Sequence, residues 1–262
     1  MGGESTTRTA PRSGGTSSGA QAGGSRIGQR LSGLAVALGL GLFLGGFAWA
    51  AVVYRPYTVP TSSMTPTIDA GDRVLAQRVD GGQVRRGDVV VFEDKRWVSN
   101  AKVVKRVVAV GGDTVSCCTD GKLTVNGKQI DETYLPKGSL AEITNFPTVT
   151  VPKGRLFLLG DERQGSLDST AHLTDAAKGT VSRDAVSARV DAVVWPWKGM
   201  VKRPVGFEAL GALSRPGPLR TIELLIAAGT VLILAGAAYG PIVKLLDRAR
   251  GRTTRPEPTG AR

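Results

Sequence analysis

Two long apolar runs lie near the two ends of the chain, and neither contains a charged residue. Leu31–Val53 spans 23 residues and Leu224–Val243 spans 20. A helix rises about 1.5 Å per residue, so roughly 20 residues cross the hydrocarbon core of a bilayer. The pattern therefore predicts two transmembrane helices, one on each side of a middle region.

Each run has an alternative interpretation. The first could be a cleaved signal peptide ending at Ala48-Trp49-Ala50, but it is longer than the roughly 7–15 apolar residues of such peptides. The second could be a buried core helix, but its Gly and Ala content and flanking arginines favour a membrane span.

Between the two runs, short Val- and Leu-rich stretches alternate with turn residues. The clearest stretches are 87–92, 103–110 and 155–159. Asn126-Gly127, inside 123–130, is typical of a type I′ hairpin turn. No amphipathic pattern of helical length separates the stretches. We therefore predict a mostly β middle domain, an antiparallel sheet or barrel-like structure, rather than βαβ units.

These patterns divide the chain into six segments. They are a disordered basic tail (1–30), the first span (31–53), the β domain (54–197), a linker (198–223), the second span (224–243) and a second basic tail (244–262). Within the β domain, 136–150 and 162–180 are weakly patterned and are predicted to be loops. The linker is predicted from its proline and glycine content.

The charge of the chain agrees with a membrane protein. Its 34 Lys and Arg exceed its 22 Asp and Glu, which gives a net charge of +12. Segment 1–30 carries four Arg and one Glu, and 244–262 carries six basic and two acidic residues. Nucleic acid is not needed to explain this excess, and we expect a lipid bilayer as the partner instead. The positive-inside rule places both tails in the cytoplasm and 54–223 outside.

Few residues suggest conventional catalytic chemistry. The chain has one histidine, His172, which a Ser-His-Asp triad would have to use. It lies in a polar segment and is interpreted as a solvated side chain. We find no Cys/His metal spacing, no P-loop and no Gly-x-Gly-x-x-Gly motif, so we predict neither a metal nor a cofactor.

A serine and a lysine offer a different arrangement. Ser63 lies in a hydroxyl-rich segment bounded by Pro60 and Pro66, ten residues after the first span. Lys105 lies in a valine-rich stretch, where Val103 and Val107 are expected on its face of the strand. Burial there would disfavour the ammonium and lower the lysine pKa, as a general base requires.

These segments resemble bacterial type I signal peptidases, which are membrane-bound Ser/Lys endopeptidases. Four blocks carry the resemblance: 57–68 (YTVPTSSMTPTI), 71–75 with 86–92 (GDRVL and RGDVVVF), 104–113 (VKRVVAVGGD) and 160–169 (GDERQGSLDS). The first is similar to the Pro-Ser-x-Ser-Met-x-Pro-Thr motif of that family. The last departs from the family pattern, because Glu162, Gln164, Gly165 and Thr170 replace residues that are usually Asn, Asp, Asn and Arg.

The resemblance implies a role for each matching residue. Ser63 falls on the nucleophile and Lys105 on the general base. Thr61 keeps the hydroxyl that the family uses in the oxyanion hole, together with the backbone N–H of Ser63. Ser166 would orient Lys105, and Asp168 would brace the fourth block. The implied reaction is acyl transfer without a metal or cofactor.

The resemblance also implies a substrate and a location. The substrates would be signal peptides of exported preproteins, with small residues preferred at positions −1 and −3. Val59, Met64, Ile68 and Val104 are the candidate walls of the substrate pocket. The location would be the bacterial plasma membrane, with two spans and an extracytoplasmic catalytic domain. The alternative is a non-catalytic, membrane-anchored binding or assembly module of similar fold.

Cys117 and Cys118 are adjacent in the segment expected to face an oxidising compartment. The sequence leaves two possibilities open, a vicinal disulfide and two free buried thiols. Neither cysteine belongs to the four blocks.

Overall fold

The computed structural model describes residues 22–98, 101–119, 121–136 and 145–253. It contains two long helices, α1 (Ala22–Val53) and α2 (Leu219–Thr253). Within them, Ile27–Val53 and Leu219–Leu246 are long and apolar enough to cross a membrane. Most of the predicted tail 1–30 and the last nine residues of 244–262 lie outside the described residues.

The described chain forms two compact units. The first contains residues 22–45 of α1 and 225–253 of α2, which pack through small residues. A Cβ added to Gly39 would lie 2.8 Å from the carbonyl oxygen of Gly229, and one added to Gly229 would lie 2.7 Å from that of Gly39. Ser32 Oγ donates a hydrogen bond of 2.7 Å to the carbonyl of Gly236. Small residues that allow close backbone approach are typical of helix pairs in membranes.

The second unit comprises residues 46–224 and holds the sheets. The strands found over the described residues are β1 (Tyr54–Thr58), β2 (Arg73–Arg78), β3 (Val89–Phe92), β4 (Val103–Val110), β5 (Thr114–Thr119), β6 (Lys122–Val125), β7 (Lys128–Gln129), β8 (Phe146–Thr150), β9 (Arg155–Leu159), β10 (Val181–Ser182), β11 (Val186–Trp195) and β12 (Trp197–Met200). The main sheet has the order β1-β2-β11-β3-β4-β9-β10, with β12 also paired to β11. The smaller sheet has the order β7-β6-β5-β8.

The strand pairs of both sheets are antiparallel. Asn126 and Gly127 join β6 to β7 with positive φ angles of 52° and 73°, as a type I′ turn requires. The prediction of a mostly β, antiparallel fold flanked by two apolar helices is confirmed. The structure adds β8, which forms the end of the segment 136–150 that was expected to be a loop.

Cys117 and Cys118 lie in β5 and form a vicinal disulfide, one of the two possibilities left open by the sequence. The Cys117 side chain is buried in the core of the smaller sheet, and Cys118 packs against the same core.

The segment predicted as a linker, 198–223, differs from that expectation. It contains β12, a 3₁₀ helix at Val205–Leu210 and the first turn of α2. Phe207 is fully buried in the same core as Phe157 of β9. Proline and glycine shape the backbone of this segment, whereas its few large apolar side chains fix it to the β domain.

This packing predicts a measurable contribution to stability. Phe207→Ala should destabilise the β domain by about 3–5 kcal/mol, since it removes a fully buried aromatic ring and leaves a cavity. Val205→Ala is the matched control in the same 3₁₀ helix, because Val205 is 62% exposed. It should change the free energy of unfolding by less than about 0.5 kcal/mol. Urea unfolding of the full chain in detergent, followed by tryptophan fluorescence, measures both; equal effects would show that the segment does not belong to the folded domain.

Candidate active site

Ser63 lies on a loop that leaves the end of β1 and returns to β2. The loop is closed at its base by two backbone hydrogen bonds, from Val59 N to Asp72 O (2.9 Å) and from Gly71 N to Val59 O (2.8 Å). At its tip, Met64 and Ile68 form an isolated β-bridge. Both of these apolar side chains are fully buried, so the loop that carries Ser63 is anchored from inside.

Lys105, in the middle of β4, reaches this loop. Its Nζ lies 2.6 Å from Ser63 Oγ, within hydrogen-bond distance. The lysine is 3% exposed and the serine 7% exposed. Burial lowers the pKa of Lys105 to about 8, although the charges of Asp168 and Asp161 oppose the change. A substantial fraction of Lys105 is therefore neutral just above neutral pH, and a neutral amine can accept a proton from the serine hydroxyl.

Thr61 and the segment after β9 surround this pair. Thr61 Oγ1 lies 3.3 Å from Ser63 Oγ. The backbone N–H of Glu162 donates to the carbonyl of Ser63 (3.1 Å), which joins the two loops directly. A Cβ on Gly160 would collide with Ser166 Oγ and lie 2.5 Å from the Ser63 carbonyl oxygen. Only glycine therefore fits at position 160 without moving one of the two loops.

Ser166 and Asp168 take different positions in that segment. Asp168 accepts hydrogen bonds from the backbone N–H of Gly160 (2.9 Å) and from the N–H and hydroxyl of Thr170 (3.0 and 2.8 Å). Ser166 Oγ is buried and has no hydrogen-bond partner among the described residues. The structure therefore does not join Ser166 to Lys105 by a hydrogen bond.

Arg106 follows Lys105 in β4 and carries a second buried cation. Its guanidinium binds both carboxylate oxygens of Asp161, at 2.8 and 2.6 Å. It also donates to the carbonyl of Gly87 (2.9 Å), and Thr67 donates to Asp161 (2.5 Å). The charge of Arg106 is thus paired, and the pair ties β4 to both the Ser63 loop and the segment after β9.

A second buried ion pair extends this network, and sequence reasoning missed it. Arg163 donates to both carboxylate oxygens of Glu132, at 3.0 and 2.5 Å, and to the carbonyl of Gly160 (2.9 Å). Tyr134 donates to Glu132, and its ring lies 4.0 Å from the Arg106 guanidinium. Arg163 stands in the fourth block, but Glu132 is 31 residues away in sequence and belongs to no recognisable motif.

A cavity of about 280 Å³ opens beside Ser63 and Lys105. Of the four predicted pocket residues, Val59 and Val104 line it, whereas Met64 and Ile68 lie in the core instead. The other lining residues were not among the predicted pocket residues, although Thr61 was predicted to serve in the oxyanion hole. They are Tyr57, Thr58, Pro60, Thr61, Val91, Val98, Ala101, Lys102, Val103, Gly165 and Leu167. The walls are mostly apolar.

His172 lies elsewhere. Its ring stacks on Trp97, with the ring centroids 4.6 Å apart. Its Nδ1 lies 2.9 Å from the carboxylate of Asp175, so its partner is Asp175 and not Asp168. Its side chain is only 14% exposed, so it is not the solvated histidine that the sequence suggested. Among the described residues, no group of three or more His, Cys, Asp or Glu side chains could hold a metal ion.

Comparison with known proteins places the chain in a family. Residues 31–195 match the family model described as signal peptidase, peptidase S26. The chain belongs to this family. The matched range includes the Ser63 loop and β4, and the resemblance inferred from the four blocks is confirmed.

Three bacterial proteins illustrate the similarity. Signal peptidase I of Mycobacterium tuberculosis H37Rv is 35% identical over 193 residues, which cover 55% of this chain and 66% of that protein. Signal peptidase I T of Bacillus subtilis is 31% identical over 176 residues, covering 64% and 84%. A crystal structure of a signal peptidase I from Enterococcus faecalis matches with a TM-score of 0.32 and 26% identity, over 45% of this chain and 96% of that one. The chain thus spans just under two thirds of the M. tuberculosis relative.

Proposed function

We propose that the chain is a Ser/Lys endopeptidase that removes signal peptides from exported preproteins. The observation that carries the proposal is the buried contact of 2.6 Å between Lys105 Nζ and Ser63 Oγ. It places a hydroxyl against an amine whose pKa is lowered to about 8 by burial. Family membership supplies the substrate class, and the apolar cavity beside the pair offers room for a peptide.

The reaction begins with proton transfer. Neutral Lys105 takes the proton of Ser63 Oγ, and the oxygen attacks the scissile carbonyl of the substrate. The backbone N–H of Ser63 and the hydroxyl of Thr61 hold the resulting oxyanion. One such donor is worth about 2.7–4 kcal/mol. The Lys105 ammonium then returns the proton to the leaving amine, and water releases the signal peptide from Ser63.

Two further residues position the reacting groups and take no direct part in the reaction. Asp168 fixes the turn after β9, because its carboxylate accepts hydrogen bonds from Gly160 and Thr170. Ser166 is retained as the residue that orients Lys105. Its buried hydroxyl is unpartnered among the described residues and lies against the Gly160 backbone near Ser63. Rotation of the Ser166 side chain toward Lys105 is part of this proposal.

Substrate preference follows from the cavity walls. Val59, Val91 and Val104 line the cavity beside Ser63, where the peptide would bind. All three side chains are branched and buried. Branched walls leave shallow depressions, so small residues at −1 and −3 of the substrate fit best. Met64 and Ile68 support this surface from the core rather than contacting the peptide.

The arrangement in the membrane follows from the flanking charges. The α1 and α2 runs cross the plasma membrane of a bacterium, both tails lie in the cytoplasm, and the β domain lies outside. Arg26 and Arg30 precede the first apolar run, and Lys244 begins the basic segment after the second. A peptidase placed there meets preproteins as they leave the membrane.

One prediction of this mechanism concerns the base. Because the neutral form of Lys105 is active, kcat/KM should rise with pH through a value near 8, the pKa that burial gives the lysine. Lys105→Ala should abolish turnover because it removes the amine. Lys105→Arg should also abolish it, because a guanidinium stays protonated in this pH range. His172→Ala is the control and should keep the profile. Cleavage of a synthetic signal-peptide substrate from pH 6 to 10 gives the profile of the unmodified chain and of the three variants. A rising limb near pH 6.5 that disappears in His172→Ala would contradict Lys105 as the base.

The second prediction concerns specificity. A substrate with Leu at −1 should be cut at least about 100-fold more slowly than the matched Ala substrate, because the branched walls leave no room for it. Val104→Ala should narrow that ratio by enlarging the cavity. Competition between the two peptides in one reaction, followed by mass spectrometry, gives the ratio directly. Equal rates for Ala and Leu with the unmodified chain would remove the pocket assignment while leaving the dyad intact.

A further inference from the structure

A second cavity of the β domain, away from Ser63, is lined by arginine. Its volume is about 450 Å³. Its walls come from β2, the turn before β3, β11 and the segment that leads into α2. The lining residues are Gln77, Gln83, Arg85, Arg189, Ala212, Leu213, Ser214, Arg215, Pro216, Gly217 and Pro218. The cavity contains three arginines and no acidic lining residue, which is the composition of an anion site.

Arg189 forms the base of this cavity. It is 5% exposed, and one guanidinium nitrogen donates to Gln77 Oε1 (2.6 Å) and to the carbonyl of Arg215 (3.1 Å). Its Nε is buried without a hydrogen-bond partner among the described residues and lies 3.5 Å from the carboxylate of Asp191. The charge of Arg189 is thus offset by Asp191, and the positive excess of the cavity comes from Arg85 and Arg215.

The nearby carboxylates are already engaged. Asp191 accepts hydrogen bonds from Tyr54 (2.9 Å) and Arg203 (2.6 Å). Asp88 accepts from Ser214 (2.5 Å) and from the backbone N–H of Arg85 (2.9 Å). These contacts leave a positive excess at the mouth of the cavity.

The arginines at the mouth lack compensating charge. Within the described part of the chain, the side chains of Arg85 and Arg215 form no ion pair, and both are exposed. Arg183 lies close to Arg85: burial first, and then the charges of Arg86 and Arg85, lower the pKa of Arg183. Arg85 therefore belongs to a group of arginines at the border of the cavity, and an anion bound beside Arg85 and Arg215 would offset their charge.

One wall of the cavity continues directly into an apolar helix. Pro216, Gly217 and Pro218 are followed by Leu219, where α2 begins, and the uncharged run starts five residues later at Leu224. Gly217 lies so close to β2 and β11 that a Cβ would collide with Asp191 of β11 and come within 2.7 Å of Gln77 Oε1 of β2. The wall is thus held firmly. Because an extended chain covers at most about 3.6 Å per residue, Arg215 lies within roughly 14 Å of Leu219, the first residue of α2.

We propose that this cavity binds the phosphate of an anionic phospholipid headgroup. A planar guanidinium matches phosphate oxygens with two parallel hydrogen bonds, and three arginines favour a headgroup with net negative charge. The position beside the first residue of an apolar helix favours a phosphate that is attached to a lipid over one that is free in solution, since acyl chains can remain in the bilayer. The site is independent of the proposed peptidase chemistry.

Native mass spectrometry of the full chain in a neutral detergent tests this. The probes are dioctanoyl phosphatidylglycerol, dioctanoyl phosphatidylcholine and inorganic phosphate. We expect phosphatidylglycerol to bind most tightly. Arg85→Gln/Arg215→Gln should weaken that binding by about thirtyfold, since each of the two basic residues is worth about 1 kcal/mol at a lipid surface. Arg189→Lys keeps the positive charge but loses the planar guanidinium that can donate two parallel hydrogen bonds. It should therefore also weaken the binding of phosphatidylglycerol.

The matched control is Arg73→Gln/Arg78→Gln. It removes the same charge from two exposed arginines of β2 that do not line the cavity. It should change the affinity for phosphatidylglycerol by less than about twofold. Equal weakening in both double variants would overturn the site and leave only general attraction to the lipid. Inorganic phosphate binding as tightly as phosphatidylglycerol would overturn the lipid assignment.

Discussion

Burial of the Lys105 side chain is the constraint on which the rest of the site depends. A lysine can accept a proton only if its amine is kept largely neutral, and removal from water achieves this by disfavouring the ammonium. β4 supplies the apolar surroundings, because it lies between β3 and β9 in the interior of the main sheet. The same valine-rich sequence that stabilises a central strand therefore also lowers the pKa of the lysine.

Arg106, the next residue of β4, is also a buried basic side chain, but it keeps its charge. Arg106 cannot lose its proton, so its buried charge needs a partner, which Asp161 provides. Side chains alternate along a strand, and this alternation sends Lys105 to Ser63 and Arg106 to Asp161. Removing one member of such a pair typically costs about 3–5 kcal/mol, because the other charge stays buried. The ion pair thereby fixes the position of β4 relative to both loops of the site.

The sequence predicted the features that depend on local pattern. The two apolar helices, the strands at 89–92 and 103–110 and the turn at Asn126-Gly127 follow from hydropathy and turn chemistry. Motif spacing identified Ser63 and Lys105 as candidates, and the fold brings them into contact. Features that depend on distant contacts were missed. Periodicity cannot reveal that Glu132 pairs with Arg163, or that a segment rich in proline and glycine packs through Phe207.

A covalent intermediate on Ser63 would reveal both the proposed nucleophile and the dependence of its attack on Lys105. The full chain would be mixed with a signal-peptide ester, quenched in acid within the first turnover and mapped by peptide mass spectrometry. We expect the mass of the signal peptide on the tryptic peptide that contains Ser63. More of this adduct should form above pH 8 than at pH 6, and none should form in Lys105→Ala. An adduct on another residue, or an adduct on Ser63 that forms equally fast in Lys105→Ala, would contradict it.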